Sequence, residues 1–177
     1  TVIADVLEPF EPVISDPESL ALEWVPVDEV DQCPLHPGFG AAWPSLRSLL
    51  PVRPAVVVDA ANVVGSVPDG WWKDRAGAAA RLHAALVDAT LDATLDHDEI
   101  VLVLEGAARR GQEEGVTGRI RCVHAVGSGD DVIVAEVRAR RAVGDDVDVV
   151  TADRGLRERV AAAGASVIGP AWLQSRI

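Results

Sequence analysis

Ala55-Val56-Val57-Val58-Asp59-Ala60-Ala61-Asn62 is the stretch whose reading decides the fold. Three successive valines after an alanine show no polar alternation. A short continuous apolar run of this kind predicts a strand covered on both faces, as in a parallel sheet. The run stops on Asp59, which puts a carboxylate at one edge of that sheet. Two more segments repeat the theme. Val147–Thr151 runs into Asp153, and the turn Gly127-Ser128-Gly129-Asp130-Asp131 opens the stretch from Val132 to Arg141. Glu105 ends a fourth apolar run, from Ile100 to Leu104.

Outward from Asp59, strand patterns alternate with helical ones. The expected strands are 55–58, 99–104, 120–125, 147–151 and 166–168, and the expected helices 74–93, 131–142 and 154–163. Gly164 is placed to cap the last helix in the left-handed conformation. The segment 107–118, rich in Gly and charge, reads as a mobile loop. Near-continuous apolar strands between amphipathic helices predict an α/β fold, with a mostly parallel sheet covered on both faces. In such sheets ligands bind beyond the carboxyl ends of the strands, near the point where strand order reverses. Asp59 and Asp153 fall just past strand ends.

The first 50 residues differ, holding seven of the eleven prolines. They offer two short strand candidates, 2–7 and 20–25, and a helix near 40–50. The expected organisation is therefore an N-terminal appendage or linker over 1–50 and one α/β domain over 51–177. The chain begins at Thr1 and contains no Met, so we expect it to be a piece of a longer product.

Composition narrows the function. The 177 residues carry 28 acidic and 16 basic side chains, a formal net charge of -12. That excess argues against a general nucleic-acid binder, whose footprint is a basic face. It leaves room for a nuclease whose acids crowd one cleft. The basic residues are arginines apart from Lys73, with clusters at Arg109–Arg110, Arg119–Arg121 and Arg138–Arg141. These suit bidentate phosphate contacts, or else lie on solvated helix faces. No apolar run reaches the ~20 residues of a membrane span. Cys33 and Cys122 lack CxxC spacing and read as reduced thiols, so the expected setting is cytoplasmic. Phosphate-loop, zinc-protease, serine-hydrolase and paired-Cys zinc patterns are missing. His36, His83, His97 and His124 show no ligand spacing.

Several carboxylates at one sheet edge repel one another unless a cation lies among them, which points to a hard divalent metal held through oxygen. The structural alternative is capping: Asp59, Asp153 and one of the pair Asp130 and Asp131 each suit a helix N-cap. Trp71 and Trp72 could stack on bases of a single strand or serve as packing anchors.

At these residues the chain resembles a known group. Residues 55–82, the segment GSGDDVIVAEV (127–137) and residues 149–173 resemble the PIN-like superfamily, in particular its NYN branch and bacterial YacP-like ribonucleases. The resemblance spans about residues 54–177. It implies a three-layer α/β/α sandwich and a metal-dependent nuclease acting on RNA with Mg²⁺ or Mn²⁺. It also implies a catalytic set of Asp59, Asp130, Asp131, Asp153 and Glu105. Asp59, Asp130 and Asp153 would be the metal ligands, and Asn62, Ser128, Arg154 and Arg157 the substrate contacts. The usual Asp-Gly-x-Asn appears here as Asp-Ala-Ala-Asn, and Glu105 stands where related proteins often carry Asp. Residues 18–47 look instead like the carboxyl-terminal part of a Nudix hydrolase, without the acidic Nudix box. Two other readings follow: a non-catalytic domain that binds RNA or protein, and an accessory domain of a Nudix-type nucleotide pyrophosphohydrolase.

Overall fold

In the computed structural model, residues 11–15, 17, 22–25, 27, 29–50, 52–68 and 70–177 are described. The chain divides into two compact units, Thr1–Pro51 and Val52–Ile177.

In the first unit, a single turn of 3-10 helix over Val30–Gln32 precedes helix α1, Pro37–Arg47. The helix starts three residues before the expected point. Pro37 sits at its first position, where a missing N–H costs nothing, and His36 caps it by accepting from Gly38 N at 3.1 Å. The strand expected over 20–25 is not formed at its described residues, Leu22–Val25. The candidate over 2–7 lies outside the described residues.

The second unit is built on a six-stranded sheet of order β3-β4-β2-β1-β5-β6. The strands are β1 (Pro54–Asp59), β2 (Glu99–Glu105), β3 (Gly115–Thr117), β4 (Ile120–Ala125), β5 (Asp146–Val150) and β6 (Ser166–Ile168). All pairings are parallel except β3 with β4. The helices are α2 (Ala60–Gly65), α3 (Arg75–Leu91), α4 (Gly129–Ala142), α5 (Arg154–Ala162) and α6 (Pro170–Gln174).

Residue alternation along the strands sorts the core into two layers. Val56, Val58, Ile100, Leu102 and Ile120 face Val63, Leu82, Leu86 and Leu173 of α2, α3 and α6. Val57, Val101, Val103 and Val149 face Ile133, Val137, Leu156 and Val160 of α4 and α5. The result is three layers, α/β/α, with both sheet faces dry. Asp59 has the parity of Val57, so its side chain belongs to the α4–α5 face.

β1 is central, and strand order reverses between it and β5. The β1–β5 register runs from Pro54↔Asp146 to Val58↔Val150, which brings Thr151 level with Asp59. The carboxyl ends of β1 and β5 therefore flank the switch point.

The expectation for 107–118 is corrected. Gly106–Gly111 forms a 3-10 turn, and Gly115–Thr117 pairs with β4. Glu114 Oε1 accepts from His124 N at 2.8 Å, and His124 Nε2 lies 2.8 Å from Gln112 O, which ties the segment to the sheet. The turn approaches α3 so closely that a Cβ on Gly111 would lie 2.0 Å from Ala76 O. Gly164 does take the left-handed conformation past α5, at φ 88°. Among the described residues, no helix is long and apolar enough to cross a membrane.

Candidate active site at the carboxyl edge of the sheet

Asp59 closes β1 and is 7% exposed. It caps α2: its Oδ1 accepts from Asn62 N at 3.0 Å, while its Oδ2 accepts from the Thr151 hydroxyl at 2.9 Å. The same hydroxyl oxygen accepts from Asp153 N at 3.1 Å. Asn62 Oδ1 accepts from Ala152 N at 3.1 Å. Two crosslinks thus hold the turn after β1 to the loop after β5. Asp153 caps α5, its Oδ1 accepting from Leu156 N at 2.7 Å. Capping and cleft-facing positions coincide at Asp59 and Asp153, since each cap leaves further lone pairs on the carboxylate.

Glu105 reaches across to α4, and its Oε2 accepts from Gly129 N at 3.0 Å. A Cβ on Gly129 would fall 2.6 Å from that oxygen, so this approach depends on glycine. The expectation that Asp130 or Asp131 caps α4 is corrected: Ser128 is the N-cap, exposed and without a side-chain capping bond, and both aspartates lie in the first turn. Arg159 of α5 lies 3.7 Å from Asp130 Oδ2 and also pairs with Asp131.

Electrostatics show which acids share one field. Burial pushes the Asp59 carboxyl above its usual range. The Asn62 N–H, the Thr151 hydroxyl and the Asn62 side chain oppose this, and the charge of Glu105 adds to it. Asp130 is also raised, first by loss of water and then by the charges of Asp153 and Asp59; Arg159 opposes and Glu105 adds. Asp59 and Asp153 both bond Thr151, and Glu105 bonds Gly129 beside Asp130, so the four lie along the carboxyl edge and feel one another's charge. Asp131 is turned away, with its side chain 70% exposed. Arg154 and Arg157 stand exposed on the first turns of α5, and Arg154 lies 3.6 Å from Glu158.

The donor chemistry, all oxygen with excess negative charge, fits a hard divalent cation. Among the described residues, no three such side chains stand at ligating distance from a common point. Direct bonds from one or two carboxylates, with water completing the shell, are the mode Mg²⁺ favours.

Several sequence clusters have other partners. Arg121 pairs with Glu99 and Glu136, Arg140 with Glu99 and Asp145, and Arg141 with Asp146. These three arginines are thus engaged in ion pairs within the fold, rather than in phosphate contact or on a merely solvated face. Thr151, Gly129 and Arg159 join the site without having been singled out in the sequence. Thr151 had one signal: it ends the β5 run two residues before Asp153.

Beside the acids lies a cleft of about 320 Å³. Its lining residues include Glu105, Trp71, Arg75 and, just past Asp59, Ala60 and Ala61.

No protein-family model matches the chain. A 48-residue stretch, 27% of the chain, is 48% identical to "Putative 8-oxo-dGTP diphosphatase 3" of Mycobacterium tuberculosis, in each of two strains. The match spans 22% of those relatives' length. Among solved structures, the crystal structure of Rae1 (YacP) from Bacillus subtilis, a single-substitution mutant, is similar with a TM-score of 0.51 at 15% identity. That similarity covers 68% of this chain and 73% of that one. The fold is therefore α/β, a mostly parallel sheet between helical layers, consistent with a PIN-like α/β/α sandwich.

Proposed function

We propose that residues 52–177 form a metal-dependent ribonuclease domain that cleaves phosphodiester bonds by in-line attack of water. The placement of Asp59, Glu105, Asp130 and Asp153 along the carboxyl edge at the topological switch point carries this reading. The motif resemblance to YacP-like ribonucleases and the fold shared with Rae1 (YacP) point the same way.

A bound Mg²⁺ or Mn²⁺ would lower the pKa of a water and offset charge on the phosphoryl oxygens. Asp59 and Asp130 are the proposed direct ligands, with Asp153 and Glu105 holding metal-bound water. Thr151 and Asn62 fix the Asp59 carboxylate, one hydrogen bond to each oxygen, so that its remaining lone pairs keep one direction. Glu105 is oriented by Gly129 N at the start of α4. Arg154, Arg157 and Ser128, exposed beside the edge, are proposed to meet the substrate backbone, and Asp131 to share Arg159 with Asp130.

A 48-residue match to a putative diphosphatase supports a Nudix-like stretch in the chain, which we place within residues 1–50 on the motif resemblance. On that reading the domain is an accessory in a longer nucleotide-hydrolysing protein. Labelled single-stranded RNA incubated with the chain and Mn²⁺ tests the main proposal. We expect cleavage that stops on chelation; RNA left intact at high enzyme contradicts it.

A further inference from the structure

The cleft beside the acids is a built cavity that the capping and metal chemistry leave unused. Its volume of about 320 Å³ falls at the small end of ligand pockets. Its lining includes the small residues Ala60, Ala61 and Gly106, which let a flat group approach the backbone closely. Trp71 and Arg75 line it too. Trp71 is half-buried and meets Trp72 edge-on with ring centroids 6.3 Å apart, and the Arg75 guanidinium lies 5.4 Å from its ring centre. Glu105 belongs both to the cleft and to the acid cluster. A group seated in the cleft therefore lies beside Glu105 and next to the turn that follows Asp59.

We propose that this cleft receives one unpaired base of a single-stranded RNA, stacked against Trp71 and Arg75, with the adjoining phosphodiester placed at the acidic edge. The inference rests on the ribonuclease reading and adds to it the substrate form. A flat, largely uncharged ring suits a lining of small apolar residues, and every base has a face to stack. The Arg75 charge serves the neighbouring phosphate while its plane extends the stack. A base inside a duplex is held in its own stack, so double-stranded RNA cannot fill the cleft without unpairing.

The test uses the full chain carrying Asp59→Asn, so that RNA is bound and not cut, and a fluorescent single-stranded hexanucleotide read by anisotropy in Mn²⁺. We expect Trp71→Ala to weaken binding roughly tenfold. Trp71→Phe should restore most of it, which separates stacking from a folding defect. Removing one base from the strand should cost the Trp71 protein the same factor and the Trp71→Ala protein nothing. Equal affinity of the Trp71 and Trp71→Ala proteins for the intact strand overturns the inference. So does displacement of the strand by an equal concentration of free nucleoside monophosphate, which assigns the cleft to a mononucleotide. Cleavage is read separately, with Asp59 restored. Trp71-dependent binding without cleavage removes the nuclease reading and keeps the base site, whereas cleavage without Trp71 dependence does the reverse.

Discussion

Asp59 is the residue on which the site turns, and its surroundings set opposing demands. Burial disfavours its charge, and hydrogen bonds from Asn62 and Thr151 favour it. Its folded pKa lies above the unfolded value of about 3.9, so the folded domain binds that proton more tightly than the unfolded chain does. The resulting stability is complete below that value and is lost as pH rises through the folded pKa. In chelator, wild type should therefore lose ground to Asp59→Asn as pH rises above about 4, read as the difference between their melting temperatures. Asn keeps the geometry, accepting from Asn62 N and donating to Thr151. A difference that does not change with pH contradicts this. Thr151 is 1% exposed and its hydroxyl serves two partners. Thr151→Val should lower stability by about 1–3 kcal/mol in urea unfolding, because it strands a buried carboxylate oxygen. A loss below about 0.5 kcal/mol would sink that role.

At the scale of elements, two glycines that look alike in sequence act differently. A Cβ on Gly111 meets the backbone oxygen of Ala76, which α3 holds in place. Gly111→Ala should therefore destabilise by about 1–3 kcal/mol. A Cβ on Gly129 meets the tip of Glu105, which can swing aside. Gly129→Ala should fold with little loss yet cleave on the order of tenfold more slowly, as Glu105 leaves its position. Paired melts and cleavage rates separate the two, and the opposite ranking refutes the assignment. These elements also show what the sequence discloses. The β1 run is legible because Val56, Val57 and Val58 are apolar on both faces. β3 is not, because all three of its residues are exposed and carry no apolar alternation, although it pairs with its chain neighbour β4. Asp59 and Asp153 are legible as acids ending strands. Thr151 and Gly129 are not, since their contacts arise from the β1–β5 register and from the approach of Glu105 to α4.

At the scale of the whole molecule, Val52–Ile177 contains both core layers and every residue of the candidate site. A chain of residues 52–177 should therefore fold alone, with a cooperative melt and the circular dichroism of an α/β protein; a chain that stays unfolded contradicts that. The acid excess is also resolved at this scale. Several arginines that read as nucleic-acid contacts neutralise Glu99, Glu136, Asp145 and Asp146 within the fold. On the proposed reading, a bound cation would offset the charge that the acidic edge presents to a polyanion.

The most direct measurement compares cleavage of labelled single-stranded RNA by wild type and by Asp59→Asn, in Mn²⁺, at matched folded concentration. The ligand role of Asp59 predicts a loss of at least about a hundredfold, on the scale of removing one preorganised charge from an active site. Equal rates would show that the acids of the carboxyl edge are not the cutting centre.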